Sequence, residues 1–588
     1  MILSLIGLAH ATSAFDPTSP EQVFTGQETY TQEGDVQLWS AIERHHDSGS
    51  LLKQEAFNSM TAWQDASWSP WINTCFGGGT PDSGSFLLHL APGEASASGT
   101  PVLFVPGAGD NGSRGFITMA TKMDQQGRPA YVLTFAHTHG DMFMQAEVVA
   151  DAIARIKQRT GASQVDVVAH SKGGIAATLY ASHHSGADWG GIAYESQGTE
   201  YRGDIRRLVL IGTPLKGVDT LYRWSGNNYA ALSSETAISP ASWSSYYPYT
   251  TGAPAWVTDL SDQDMLPDGQ DLFPGQRQLL AVQDHPLPGE LPWLGAYSLQ
   301  QDWWTTYYGG FGYYSYSTGI DDAIEAGGDL IARLEQTGID PDIEAFLLAG
   351  ENPLMANGAE YIWTAIFGET WVDWATWGTD AWADLYASAI GDTLEPFGLN
   401  EDEVQGLMGG KLILGELTGP SDGVVFLDSA TYDPALTARG AKVVEEKVVN
   451  LSHLDLLYAS PVTGQLMIDE GNADPQEDGW QRAVGARYMD ADTLGWLVEV
   501  LADPEPVDTG DTGDTGEPAS TDDTGVTSDT DDSGSPADTG AEDSGGSDRP
   551  EGSTSLLSCG VTGSERGVPL GALSLALGVG LLLLRRRD

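Results

Sequence analysis

The chain of 588 residues carries 83 Asp and Glu against 27 Lys and Arg, a formal charge of −56, with 72 Gly, 2 Cys and 41% apolar residues. That apolar share fills a large core and excludes a wholly disordered chain. So acidic a surface repels phosphate backbones and excludes unaided nucleic-acid binding. Cys75 and Cys559 lie in regions of different composition, which excludes a disulfide scaffold.

In chain order, the apolar stretch Ile2 to Ala9 is followed by Thr12-Ser13-Ala14, a small-x-small site, so residues 1–14 are expected to be an export signal. The stretch is short and lacks a basic leader, which leaves an apolar amino-terminal strand or an incorrect start codon open. Pro101 to Val105 predicts a buried strand that runs into Pro106-Gly107-Ala108-Gly109-Asp110-Asn111-Gly112. A glycine-rich loop in that place lets backbone N–H groups approach an ester carbonyl. It reads as an oxyanion hole with the Ala108 N–H as one donor and the Lys172 N–H as the other. A phosphate-binding loop is the alternative, weakened because no Lys-Ser or Lys-Thr pair follows. Ala130 to Phe135 predicts the next strand, and apolar residues at helical spacing (Val148, Val149, Ala152, Ile153, Ile156) predict a helix over Gln145 to Arg159.

Gln164 to Ala169 is a β-branched run that enters His170-Ser171-Lys172-Gly173-Gly174 and then the helical pattern Ile175 to Tyr180. Strand, sharp turn and helix are the context of a nucleophile elbow, with Ser171 at the apex. Side chains two before and two after the apex would collide in so tight a turn. Ala169 and Gly173 are small enough, Ala standing where Gly is more usual. His170, beside the apex, is expected to pack rather than react. Arg207 to Pro214 predicts a fourth strand ending in a breaker.

Strands alternating with helices imply a mainly parallel sheet with right-handed crossovers, whose ligands bind at the carboxyl ends of the strands. With Val102 to Gly112, Thr160 to Gly174 and Ile211-Gly212-Thr213-Pro214, the chain resembles the α/β-hydrolase superfamily, and within it the extracellular bacterial lipases and esterases. The resemblance covers Pro101 to Gly217, returns near Lys411 to Leu457 and is poor elsewhere. It implies an α/β fold carrying a Ser-His-Asp triad in the order nucleophile, acid, base.

From Val218 to Gly410 no alternation of strand and helix is visible, yet this stretch holds 11 of the 18 Trp and 13 of the 21 Tyr. It reads as an inserted cap that presents aromatics to lipid or polymer, or that uses them for its own small core. Asp321 to Gln336 reads as an amphipathic helix inside it. Lys411 to Gly415 is the expected strand before the acid, followed by Ser421-Asp422-Gly423. Asp422 looks like the family acid, which would accept the imidazole Nδ1–H. Asp-Gly is also a common hairpin turn, with Asp428 then the substitute. The base implied by the resemblance is His453, in Asn450-Leu451-Ser452-His453-Leu454-Asp455, because it follows the strand-like Val443 to Val449. The other late histidine, His285, sits in an irregular segment.

Asp503 to Glu551 contains 16 acidic residues and one basic residue in an Asp-Thr-Gly setting, an extended self-repelling linker. Beyond it come Cys559-Gly560, the 17-residue apolar run Val568 to Leu584 and Arg585-Arg586-Arg587. That order resembles the C-terminal sorting signals of some bacterial surface proteins, with Cys559 either a processing point or an inert side chain. The run is at the lower limit for a span, and the arginines would keep that end cytoplasmic. Residues 1–14, 15–217, 218–410, 411–502, 503–556 and 557–588 are thus expected to be signal, first core part, cap, second core part, linker and membrane anchor of an exported protein. No cofactor or metal is expected, although the resemblance to some lipases would let surface Asp clusters take calcium. The pairs His45-His46 and His183-His184 are poorly spaced, and no Cys-x-x-Cys, His-Glu-x-x-His or twelve-residue calcium loop occurs. The expected activity is hydrolysis of carboxylic esters, lipid esters first. A polyester depolymerase with a similar Ala-His-Ser elbow, and a silent surface-binding module on the same fold, are the alternatives.

Overall fold

The computed structural model describes residues 15–29, 37–49, 54–55, 70–78, 80–112, 115–183, 200–219, 274–283, 310–311, 316–317, 321, 324–325, 327–352, 420–473 and 479–503. One sheet is built from β1 (Gln22–Phe24), β2 (Ala41–His46), β3 (Ser85–Leu90), β4 (Val102–Val105), β5 (Ala130–Phe135), β6 (Val165–His170), β7 (Ile205–Ile211), β10 (Glu344–Gly350) and β11 (Lys442–Val449). The short strands β8 (Gly310–Phe311) and β9 (Tyr316–Ser317) pair with each other. Order across the sheet is β1-β2-β3-β5-β4-β6-β7-β10-β11. The run from β5 to β11 is parallel throughout, and β1, β2 and β3 extend it antiparallel from β5. This mixed, mainly parallel sheet flanked by helices is the α/β-hydrolase fold.

The central strands read as unbroken apolar runs because both of their faces are covered. Every residue of β4, β5 and β6 is buried. The first four helices are α1 (Pro70–Phe76), α2 (Ile117–Gln125), α3 (Met142–Thr160) and α4 (Lys172–Ser182), and the strand side chains alternate between two cores. Leu103, Val105, Val167 and Ala169 face the layer that holds α3 (Met142–Thr160) and α4 (Lys172–Ser182). Val102, Phe104 and Val168 face the layer of α2 (Ile117–Gln125) and the helices between Pro461 and Leu501. The helix α3 starts where the Asp141 side chain accepts the Phe143 and Met144 N–H groups. It stops at Gly161, whose φ of 74° suits glycine. The outer strand β11 carries Lys442, Glu445, Glu446 and Lys447, charges that discourage pairing with a further strand.

The strands expected from the sequence over 101–105, 130–135, 164–169, 207–214 and 443–449 correspond to β4, β5, β6, β7 and β11, with β7 starting two residues earlier than expected and ending at Ile211. The strand expected over 411–415 lies outside the described residues, as does most of the aromatic-rich stretch. One expectation is corrected. Residues 218–410 are not an uninterrupted cap, because they supply β10, which sits in the sheet between β7 and β11, and the buried side of a helix at Leu330–Thr337. Of the helix expected over 321–336 the second half is found, at Leu330–Thr337, because Gly328 and Asp329 take positive φ and interrupt the chain just before it. Among the described residues no helix is long and apolar enough to cross a membrane, and the apolar run 568–584 is not among them.

Buried charges tie the layers together. Asp166 on β6 receives Arg128 at 2.7 Å and Arg206 at 2.5 Å. Glu43 on β2 receives Arg155 Nη2 at 2.7 Å and Arg159 Nη1 at 2.9 Å, both from α3. Burial alone would raise the Glu43 carboxyl. The bonds from Arg155 and His45, with the charges of Arg155 and Arg159, outweigh it and hold the group at about 2. A folded-state pKa below the ordinary carboxylate value means stability that is present above that value and lost as pH falls through the folded one. Glu43 is thus expected to contribute about 3 kcal/mol at neutral pH, lost between about pH 4.5 and pH 2. Chemical denaturation of the wild type and Glu43→Gln across that window is expected to show the difference narrowing as pH falls. A difference independent of pH would remove the charge from the account.

Candidate active site

The candidate residues gather at the carboxyl ends of the strands: Ala108 follows β4, Ser171 follows β6, His453 follows β11, and Asp422 packs on the end of β10. Ser171 follows β6 with φ 53° and ψ −130°, a conformation that a non-glycine residue holds only when its surroundings impose it, at about 1–3 kcal/mol. Its N–H donates to the Ile211 carbonyl at the end of β7 at 2.9 Å, and its own carbonyl accepts the Gly174 N–H at 2.9 Å. The helix α4 opens on the next residue, so the Lys172 N–H belongs to the first turn, where no intrahelical acceptor exists. Ser171 is half-buried, unlike the fully covered residues around it.

Two glycines allow the turn to lie against the end of β4. A Cβ at Gly173 would stand 2.3 Å from the Pro106 carbonyl oxygen, and one at Gly107 would stand 2.9 Å from Ser171 Cβ. The loop bearing Ala108 is therefore pressed against the Ser171 turn. Ala108 is half-buried there, and Gly109 after it takes φ 65°. Both proposed oxyanion donors, the N–H groups of Ala108 and Lys172, thus belong to segments in van der Waals contact.

The candidate acid and base meet by a direct bond. His453 Nδ1 lies 2.7 Å from Asp422 Oδ2, and the His453 backbone N–H donates to the Asp422 carbonyl at 2.8 Å. The other carboxylate oxygen, Asp422 Oδ1, accepts the N–H groups of Val424 at 2.9 Å and Val425 at 2.7 Å. Asp422 begins a tight turn, bridged between Ser421 and Phe426, as its Asp-Gly sequence predicts. It packs on the end of β10, where a Cβ at Gly350 would be 2.9 Å from Asp422 Cβ. The His453 ring packs on the end of β7, where a Cβ at Gly212 would be 3.0 Å from Nδ1. Asp428 is elsewhere, in a surface ion pair with Lys216 at 3.4 Å. His285 lies outside the described residues.

His170 packs, as expected from the sequence. Its ring centroid is 4.6 Å from that of His453, and its Nε2 is 3.1 Å from the His453 carbonyl oxygen. Burial and the neighbouring His453 hold its pKa well below the ordinary histidine value, the bond to that carbonyl opposing them. His170 is thus placed to pack against His453 rather than to react.

Two supports escape sequence reasoning. Asp455 binds Ser452 Oγ at 2.6 Å and the Tyr488 hydroxyl at 2.5 Å, which clamps the loop on both sides of His453. The Lys172 side chain, apart from its backbone role, is buried under the elbow. It donates to the Gly140 carbonyl at 2.9 Å and to Gln145 Oε1. Burial brings this ammonium down to about 7, against the charges of Glu55 and Asp141. A lysine one residue after a serine carries no local signal of that fate, since Gly140 and Gln145 reach it only through the fold. The short segment His453-Leu454-Asp455 was the available hint of the first support.

No protein-family model matches the chain, and no curated protein is similar to it in sequence. Among solved structures, the mature form of the Bacillus licheniformis lipase BlEst2 is 17% identical, with 63% of this chain and 92% of that chain covered at a TM-score of 0.25. A gene product of Listeria innocua is 14% identical over the same shares, also at 0.25. A thermostable carboxyl esterase from Bacillus coagulans is 14% identical over 46% of this chain and 77% of that one, at 0.22. What the site can do chemically follows from its own geometry.

Proposed function

We propose that the chain is a serine hydrolase of carboxylic esters. The observation that carries the reading is the 2.7 Å bond between His453 Nδ1 and Asp422 Oδ2, at the same end of the strands as the strained, half-buried Ser171. With Nδ1–H given to Asp422, the neutral ring keeps Nε2 as a proton acceptor. Nε2 takes the Ser171 hydroxyl proton as Oγ attacks the ester carbonyl carbon. The resulting oxyanion accepts hydrogen bonds from the Ala108 and Lys172 N–H groups, and each such donor is worth about 3 kcal/mol. Collapse of the intermediate expels the alkoxide, which leaves as alcohol with the proton from His453. Water, deprotonated by the same ring, then attacks the acyl-enzyme, and the carboxylic acid departs with Ser171 restored.

Lipid esters are the favoured substrates, supported by the resemblance of the elbow and oxyanion segments and by 11 Trp and 13 Tyr between Val218 and Gly410. The Ala169-His170-Ser171 elbow also suits an extracellular polyester depolymerase. Rates against short esters, triglyceride and polyhydroxyalkanoate separate the two. Export with a C-terminal membrane anchor remains part of the proposal, supported by residues 1–14 and 557–588 of the sequence.

Exposure of the purified full chain to a fluorophosphonate probe tests the chemistry. Labelling is expected in the wild type and absent in Ser171→Ala, and at least about 10³-fold slower in His453→Ala. A folded wild type that stays unlabelled with and without detergent micelles would leave the fold as a surface-binding module.

A further inference from the structure

The helix α3 carries Glu147, Asp151, Arg155 and Arg159 four residues apart on one face, opposite Glu43 and Asp47, which alternate onto one side of β2 and its continuation. The two ends of this contact differ in charge balance. At one end Glu43 is held by two arginines. At the other, Asp47, Glu147 and Asp151 each place a carboxylate oxygen within 4.8 Å of the others, and the three residues are 2%, 2% and 0% exposed. Neither oxygen of Asp151 meets a hydrogen-bond donor. Asp47 is fixed by the Gly49 N–H on Oδ1 at 2.7 Å and by its own N–H on the Gly84 carbonyl at 2.9 Å. Arg202 is the cation whose charge reaches Asp151, but it directs Nη1 to the Ala150 carbonyl at 3.2 Å.

We propose that Asp47, Glu147 and Asp151 form a binding site for a hard divalent cation of calcium's size. The Asp151 carboxylate, out of water and without a hydrogen-bond donor, is costly unless an opposite charge joins it. One proton bridges two carboxylates, whereas a divalent cation engages three. An all-oxygen donor set selects calcium or magnesium over zinc or copper. Ligands on a common ion at about 2.3–2.6 Å lie up to about 5 Å apart, so oxygens within 4.8 Å of one another can share one calcium ion, while magnesium demands near-ideal octahedral geometry and sheds its waters reluctantly. Sequence spacing conceals the site because Asp47 and Glu147 are about 100 residues apart. An ion there would fasten β2's continuation to α3, two residues from Gln145, which holds the Lys172 side chain under the elbow.

The test is calorimetric titration and thermal unfolding of the EDTA-stripped full chain with calcium chloride. A synthetic peptide of residues 503–551 reports the diffuse binding expected of that acidic stretch. One saturable calcium site is expected above the peptide's background, with a rise of several degrees in unfolding temperature and at least tenfold weaker binding of magnesium. In Asp151→Asn that site and that rise are expected to disappear while the diffuse component stays. Glu147→Gln serves if the first variant does not fold. A wild type that binds calcium no better than the peptide does, or variants that keep the full response, would overturn the site. If the wild type ignores calcium and Asp151→Asn is the more stable in EDTA, the cluster is a proton-sharing carboxyl group instead.

Discussion

Asp422→Asn is expected to fold normally and to lower ester turnover by about 10⁴-fold, the size of loss that the equivalent change causes in Ser-His-Asp enzymes. The reason lies in the two backbone donors on Oδ1. The N–H groups of Val424 and Val425 require an acceptor there, so an asparagine must turn its carbonyl oxygen toward them and its NH₂ toward His453. An amide N–H facing Nδ1 selects the tautomer with the proton on Nε2. That ring cannot take the Ser171 proton. Lost stability is expected to stay within about 2 kcal/mol, because both hydrogen-bonding directions remain satisfied. Asp428→Asn, which disturbs the surface pair with Lys216 away from His453, is the control and is expected to keep wild-type turnover. Ester kinetics beside circular-dichroism melts decide it. A loss below about tenfold in Asp422→Asn, or equal losses in both variants, would remove Asp422 from the proposed mechanism.

Gly173→Ala is expected to cost about 3 kcal/mol and to slow fluorophosphonate labelling by about 10²-fold. The added methyl carbon would stand 2.3 Å from the Pro106 carbonyl oxygen and 2.8 Å from that of Val105. Both are backbone atoms at the end of a buried central strand, with no rotamer to swing aside. Relief requires the elbow to move off β4, which separates the Lys172 N–H from the Ala108 loop. Gly161→Ala provides the comparison. Unlike Gly173, that glycine has a positive φ, 74°, and a Cβ there meets nothing within 4 Å, so only the left-handed backbone penalises it, at about 1–2 kcal/mol. Denaturant midpoints and labelling rates measure both variants. A Gly173→Ala protein as stable and as fast as Gly161→Ala would mean that the turn and β4 are not in the contact described.

The sequence by itself determined the central strands and the strand–turn–helix around Ser171. Their signals are local: a strand covered on both faces must be apolar throughout, and a sharp turn must be flanked by small residues. The order of the late segments also pointed to His453, because a loop after a strand at the sheet edge is short and continuous with it. Tertiary structure decided the rest. The strand β10 begins with an exposed glutamate and lies in a stretch dominated by aromatics, so only its pairing with β7 and β11 places it in the sheet. Asp422 and Asp428 are alike as sequence. The fold separates them, one at 2.7 Å from the imidazole and the other in a surface ion pair. The buried ammonium of Lys172 and the three carboxylates of Asp47, Glu147 and Asp151 have no local signature at all. Their environment is made by residues distant in the chain, and burial and proximity to other charges are properties of the packed molecule rather than of any segment of it.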